Sequence, residues 1–223
     1  MAGEIPCASV TIPSHGEETQ ASIVIEPAVH DEYQRAFNEV VSRVQEQLKS
    51  SRPGALPIRM YIAGGAALHL LTGERVTEDI DATFSARVLF REEIEVSYRD
   101  PDGRARLMYL DRNYNDTLGL LHEHAYDDSK PVTIAGIDNN LVEVRVLTPV
   151  DLAVSKLARF TDQDRKDIEL LARKKLVDAT SVRKRAEEAL QGHVGDATAV
   201  RTSIDIACRL IDSVHHRKKA KPA

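Results

Sequence analysis

Two aspartates two residues apart, Asp79 and Asp81, are the side chains in this 223-residue sequence that most clearly suggest chemistry. The segment from Asp79 to Phe84 has the alternation of a β-strand, in which every second side chain lies on the same face. Both carboxylates then share one surface, where they can hold one or two Mg²⁺ ions, because magnesium prefers oxygen ligands. The alternative is a surface strand with two solvated aspartates.

A glycine pair, Gly64-Gly65, precedes these aspartates by one short helix. Residues 57–63 have the pattern of a strand, and residues 66–71 have that of a helix closed by Gly73. Glycines let the backbone approach a triphosphate, and the helix N-terminus presents unpaired N–H groups to it. With two metal ions, such a site can polarise an α-phosphate, orient an incoming hydroxyl and neutralise the departing pyrophosphate.

The rest of the sequence predicts an α/β (α+β) fold, with a mixed β-sheet flanked by helices and a helical C-terminal segment. Apolar residues recur every three or four positions in residues 30–50, which predicts an amphipathic helix. Turn-forming residues predict two β-hairpins, one around residues 100–103 and one around residues 136–140. We divide the chain into an extended arm (1–29), an α/β domain (30–147), a helical segment (148–216) and a basic tail (217–223).

Composition excludes several classes of protein. Hydrophobic residues make up 42% of the chain and charged residues 29%, and no apolar run approaches the ~20 residues of a membrane span, so no membrane partner is expected. Two cysteines and no secretory signal indicate a reducing compartment, and we expect a cytoplasmic protein. The net charge of -5 gives no overall attraction to nucleic acid.

The segment from Gly64 to Asp81 resembles the nucleotidyltransferase superfamily, which has a polymerase β-like fold. More closely, it resembles bacterial abortive-infection-type nucleotidyltransferase toxins and uncharacterised relatives, because Arg75, Thr77, Asp79 and Asp81 match their Arg-x-Thr-x-Asp-Ile-Asp pattern. Residues 147–172 are similar to a later segment of that family, so the resemblance covers roughly residues 57–175. It implies that the domain at 30–147 is nucleotidyltransferase-like.

The resemblance also implies roles for individual residues. It assigns nucleotide binding to a glycine turn and several polar residues: Gly64, Gly65, Arg75, Thr77, Lys156 and Arg159. It assigns the metal ions, two Mg²⁺, to Asp79 and Asp81, with Glu143 on a later strand as the third carboxylate. The catalytic set is then Asp79, Asp81, Glu143, Lys156, Asp164 and Asp167.

Several of these residues also have a purely structural interpretation. Asp164 lies three residues after Thr161, which is the spacing of a helix capping box. Lys156 and Arg159 are spaced to form surface ion pairs with Asp164 and Asp167. Glu143 alternates with valines and could simply face solvent.

Two further clusters are open to two interpretations each. His122-Glu123-His124 could bind a metal, but a single His-x-His is more typical of a polar loop. Asp111, Asn113, Tyr114 and Asn115 could line a substrate groove, and turn chemistry accounts for them equally well.

The resemblance implies transfer of a nucleoside monophosphate from an NTP to a hydroxyl, either at a tRNA 3′ end or on a protein side chain. It also implies a toxin of a bacterial toxin-antitoxin system, with a cognate antitoxin or toxin protein as partner. One alternative is an inactive nucleotide-binding module of antitoxin-like or regulatory type, because Ala66 follows the glycine pair where many superfamily members have serine nearby. Another is a metal-dependent nuclease that uses Asp79, Asp81 and Glu143.

Overall fold

The computed structural model describes residues 23–24, 32–51, 56–100, 102–114 and 119–219. The strands are β1 (Ile23–Val24), β2 (Ile58–Ile62), β3 (Asp79–Phe84), β4 (Glu95–Arg99), β5 (Ala105–Asp111), β6 (Lys130–Thr133) and β7 (Val142–Val146). The helices are α1 (Glu32–Ser51), α2 (Gly64–Thr72), α3 (Pro149–Ser155), α4 (Asp162–Arg173), α5 (Ala179–Ala189) and α6 (Ala197–Lys219).

The strands form one mixed sheet in the order β1-β6-β7-β2-β3-β5-β4. The pairs β2–β7 and β3–β5 are parallel, whereas β2–β3, β4–β5 and β6–β7 are antiparallel. The two hairpins predicted from turn residues are therefore present, as β4–β5 and β6–β7. The predicted fold class, a mixed sheet flanked by helices with a helical C-terminal segment, is confirmed.

Helix α1 covers one face of the sheet at the β4–β5 end. Its apolar residues, which the sequence spaces by three and four, are all buried: Tyr33, Phe37, Val40, Val41, Val44 and Leu48. They belong to the same core as Met108 of β5 and Tyr98 of β4. Since α1 occupies this face, the opposite face of β3 and β5 carries the polar side chains.

Of the C-terminal helices, α3 and α4 pack against α2. Helix α3 starts as expected, because the Thr148 hydroxyl caps the N–H of Asp151 at 3.1 Å and Pro149 occupies the first helical turn. Helix α6 continues to Lys219, past the predicted start of the basic tail at residue 217. The predicted extended arm, apart from β1, lies outside the described residues.

Candidate active site

The turn between β2 and α2 explains why residue 64 is glycine. Gly64 has a positive φ of 57°, a conformation that other residues rarely adopt. A Cβ atom placed on Gly64 would lie 1.8 Å from Oδ2 of Asp81. The carboxylate of Asp81 therefore rests directly against the backbone of the turn, and any side chain at position 64 would displace it.

Gly65 makes a matching approach to the loop before β3. A Cβ atom at Gly65 would lie 2.9 Å from Cβ of Thr77. The Thr77 hydroxyl in turn donates a hydrogen bond to the carboxylate of Asp79. The glycine pair and the Thr77-to-Asp81 segment thus fit together as one unit, in which each glycine makes room for one side chain of the other motif.

A third carboxylate, Asp111 at the end of β5, lies beside the predicted pair. In the parallel pairing of β3 and β5, Asp81 is in register with Asp111 and Asp79 with Tyr109. Side chains in register on neighbouring strands share a face, and the strands are about 4.8 Å apart. Asp79, Asp81 and Asp111, which we call the sheet carboxylates, therefore line one surface.

The pKa of Asp81 reflects this crowding. It is raised from 3.8 to about 6, first because the side chain is shielded from water and then because of the charges of Asp79 and Asp111. The positive charges of Lys156 and Arg159 act in the opposite direction and lower this pKa. Burial and the neighbouring carboxylates together disfavour the charged form of Asp81.

The structure places Glu143, the predicted third carboxylate, on the same face of the sheet but far from the sheet carboxylates. Glu143 pairs in register with Arg59 at the start of β2. The backbone carbonyl of Asp81, in contrast, accepts a hydrogen bond from the N–H of Ala63, just after the end of β2. Four residues of strand separate the two positions, about 13 Å at ~3.3 Å per residue. Glu143 instead forms ion pairs with the guanidinium groups of Arg59 and Arg145.

Lys156, at the end of α3, is buried and already paired. Its Nζ lies 2.7 Å from Oδ2 of Asp167 and 3.7 Å from Oδ1 of Asp164. Asp167 also accepts a hydrogen bond from Gln163, and its Oδ1 lies 3.7 Å from Nε of Arg75. The expected surface ion pairs are therefore largely buried ones. We call Lys156, Asp164 and Asp167 the helix ion cluster.

Arg159 is an exposed cation that is bound to Asp164 of the helix ion cluster. Its side chain is 70% exposed, yet two hydrogen bonds of 3.0 and 2.8 Å to Asp164 fix the guanidinium plane. The charge of Asp81 contributes to raising the pKa of Arg159, after the hydrogen bonds to Asp164. An exposed guanidinium held near the sheet carboxylates is suited to binding a phosphate group.

Asp164 also forms the capping box that the sequence indicates. The Thr161 side chain accepts from the Asp164 N–H, and the Asp164 carboxylate accepts from the Thr161 N–H. Burial alone would raise the pKa of Asp164, but the hydrogen bonds from Arg159 and Thr161 lower it to about 2. The structural and the functional interpretations of Asp164 are therefore compatible, since the cap fixes the residue that holds Arg159.

The two other polar clusters noted in the sequence lie in different places. Nε2 of His122 lies 3.6 Å from Glu188 of α5, and His124 is exposed between Glu123 and Asp127. Asn113 and Tyr114 follow Asp111 in a turn, and Asn115 lies outside the described residues. Only the second cluster therefore adjoins the sheet carboxylates.

The donor set of the sheet carboxylates fits a hard divalent cation. All of its donors are carboxylate oxygens, the ligands that Mg²⁺ prefers, and a bound cation would favour the charged form of the partly buried Asp81. Within the described ranges, no three acidic, histidine or cysteine side chains converge on a common point. The sheet carboxylates therefore share a surface without forming a complete set of metal ligands, and an ion there would need water or phosphate oxygens as well.

A family assignment follows from comparison with known proteins. Residues 39–207 match the sequence profile of a family described as "Nucleotidyltransferase of unknown function (DUF6036)". The chain belongs to this family. The matched range contains every predicted site residue, from Gly64 to Asp167. No curated protein and no solved structure matches the chain. None of the described helices has the length and apolar character needed to cross a membrane.

Asp111 is the one sheet carboxylate that the sequence did not single out. The sequence placed it in a polar cluster that a substrate groove and a turn explain equally well, because Asp81 is 30 positions away. The available signal was the strand pattern of residues 105–110, which ends at Asp111. This strand pattern places Asp111 beside Asp81 only once the parallel pairing of β5 with β3 is known, and no local sequence pattern indicates that pairing.

Proposed function

We propose that this protein transfers a nucleoside monophosphate from an NTP to a hydroxyl group and releases pyrophosphate. The observation that carries the proposal is the alignment of Asp79, Asp81 and Asp111 on one surface beside the uncapped N-terminus of α2. Membership of a nucleotidyltransferase family supports the same reaction class. Glu143, in its pairs with Arg59 and Arg145, has no part in it.

The residues divide the work as follows. Asp79, Asp81 and Asp111 would hold the metal, and Thr77 and Gly64 position the first two of these carboxylates. Bound Mg²⁺ would polarise the α-phosphate and neutralise charge on the departing pyrophosphate.

The triphosphate binds on the α2 side of the carboxylates. The N-cap residue of α2, Ala63, makes no side-chain hydrogen bond to the first turn, and the N–H groups of a helix N-terminus are suited to donate to phosphate oxygens. The positive charge of Arg159 acts on Asp81 beside this turn. Arg75 and Lys156 act behind this surface through Asp167. This arrangement supports phosphate binding without a serine after the glycine pair.

The test is a transfer assay with Mg²⁺, each α-labelled NTP in turn, and total RNA or protein extract as acceptor. Asp79→Asn, Asp81→Asn and Asp111→Asn should each lower transfer by about 1,000-fold, since losing roughly 4 kcal/mol of transition-state stabilisation has that effect. Asp102→Asn, an exposed turn residue, is the matched control. Full activity in Asp111→Asn would remove that residue from the site.

The same assay separates the other functions. NTP binding without transfer to any acceptor would indicate an inactive nucleotide-binding module. Loss of RNA without NTP would indicate a nuclease. Label on a tRNA 3′ end or on protein would choose between the two acceptors that the family resemblance suggests.

A toxin role is a further part of the proposal and rests on resemblance alone. Expression of the wild-type chain in a bacterium should then arrest growth, and Asp81→Asn should not. Equal growth of the two strains, at equal protein levels, would count against a toxin and against a cognate antitoxin.

A further inference from the structure

A cleft of about 400 Å³ opens next to the sheet carboxylates, where β3 continues beyond the end of β5. Its volume is within the range of roughly 300–1,000 Å³ found for small-molecule pockets. Asp111 lines it, so a ligand in the cleft borders the proposed reaction centre. Lys156 and Arg159, the two cations of the C-terminal helices that lower the pKa of Asp81, are not among its lining residues.

The charges of the cleft favour an anion. Two arginines, Arg87 and Arg112, line it, and Asp111 is its one acidic lining residue among those the structure describes. Arg112 donates to the carbonyl of Phe90 at 3.1 Å, a neutral partner, and forms no ion pair with a carboxylate that the structure describes. Arg87 is exposed and forms no ion pair with a described carboxylate. Guanidinium groups in this situation bind phosphates well.

The other walls favour a flat ring. Phe84 and Phe90 lie edge to face with ring centroids 5.4 Å apart, and both line the cleft together with Tyr114. Leu89, which also lines it, is 69% exposed. Aromatic side chains next to arginines are the combination on which single-stranded nucleic acids stack their bases.

We propose that this cleft binds the acceptor, and that the acceptor is the terminal nucleotide of a nucleic-acid strand. This inference rests on the proposed function. The arginines would hold a phosphate of the strand, the aromatic side chains would contact its terminal base, and the terminal sugar hydroxyl would lie near Asp111. The triphosphate would occupy the opposite side, at α2 and Arg159.

The transfer step balances with these groups. The sugar hydroxyl oxygen forms a bond to the α-phosphorus of the NTP. The bond from that phosphorus to the oxygen bridging to the β-phosphate breaks, and pyrophosphate leaves with the electron pair. The hydroxyl proton passes to water.

The decisive measurement is equilibrium binding of a fluorescent ten-nucleotide RNA with a free 3′ hydroxyl, in the absence of NTP. Arg87→Glu should weaken binding at least tenfold in the full-length chain. Arg91→Glu is the matched control, because Arg91 is exposed in the same loop and does not line the cleft. It should weaken binding less than threefold. A DNA strand of the same sequence and a free mononucleotide distinguish the sources of the nucleotide.

Several outcomes decide between this inference and the proposed function. If Arg87→Glu loses RNA binding selectively but the wild-type protein shows no transfer, the cleft is a nucleic-acid site, and the transferase proposal fails together with the acceptor role. If the protein labels a protein acceptor and Arg87→Glu does so normally, the cleft assignment is overturned and the transferase proposal stands. Absence of binding to every oligonucleotide, or equal losses in Arg87→Glu and Arg91→Glu, also overturns it.

Discussion

Asp81 belongs to the sheet carboxylates and Asp164 to the helix ion cluster, and the protein shifts the pKa values of these two residues in opposite directions. The pKa of Asp81 is raised to about 6 by shielding from water and by its acidic neighbours. That of Asp164 is lowered to about 2, because hydrogen bonds from Arg159 and Thr161 outweigh the effect of burial. The helix ion cluster contributes stability through paired charges. Asp81 in its charged form costs stability, as is expected of a group kept to bind a ligand.

The largest expected effect on stability comes from breaking the helix ion cluster. Asp167→Ala removes the carboxylate 2.7 Å from the buried Lys156 ammonium and should lower the free energy of unfolding by about 3–5 kcal/mol. Asp162→Ala on the same helix is the control, because its side chain is 90% exposed, and should cost less than about 1 kcal/mol. Urea unfolding measures both. Equal losses would show that the buried pair contributes nothing particular.

The glycine pair should come next, with different results at its two positions. Gly64→Ala forces alanine into a left-handed conformation, which costs about 1–2 kcal/mol, and also displaces Asp81. We expect Gly64→Ala to lower the free energy of unfolding by about 2–3 kcal/mol in total and to reduce transfer strongly. Gly65→Ala meets Thr77 at 2.9 Å but gains helix propensity, so its net effect should be within about 1 kcal/mol. Thermal unfolding and the transfer assay would test this order, which equal effects would contradict.

Removing a sheet carboxylate should stabilise the metal-free protein. A carboxyl group whose pKa rises from 3.8 to about 6 on folding opposes folding while ionised, at pH values above about 6. Asp81→Asn should therefore raise the free energy of unfolding by about 1–3 kcal/mol at pH 7.5. The gain should shrink as the pH falls from 6 and vanish below about 4, where both states are protonated.

Urea unfolding at pH 7.5, 5.5 and 4 would measure this, with the exposed turn residue Asp102, changed to Asn, as the control. A loss of stability in Asp81→Asn at pH 7.5 would mean that the sheet carboxylates are already neutralised by the protein.

Magnesium should have the smallest effect on stability, and it should act on the sheet carboxylates but not on the helix ion cluster. At ten times its dissociation constant, a bound ion stabilises a folded protein by about 1.4 kcal/mol. We expect MgCl₂ to raise the melting temperature of the wild type and of Glu143→Gln, but not of Asp81→Asn or Asp111→Asn. The reverse result, with Asp111→Asn responding and Glu143→Gln not, would return the third carboxylate to Glu143.

The features predictable from the sequence were those with local signals. The apolar spacing of α1, the turn residues of both hairpins and the Thr148 cap each depend on a few consecutive residues, and all were found. The glycine pair and Asp79 were recognisable for the same reason. The neighbours of β3 were not, because β5 reaches it only after the chain has formed β4 and turned back. That long-range parallel pairing places Asp111 beside Asp81 and leaves Glu143 two strands away.

The close approach of Gly64 to Asp81 has a genetic consequence. A side chain at position 64 and a carboxylate at position 81 compete for the same space, so the folding defect of Gly64→Ala should be relieved by a smaller residue at position 81. Such an intragenic suppressor would restore solubility while leaving the protein without its central carboxylate. In any screen that selects only for a folded product, inert chains of this kind would accumulate, and the two positions would change together.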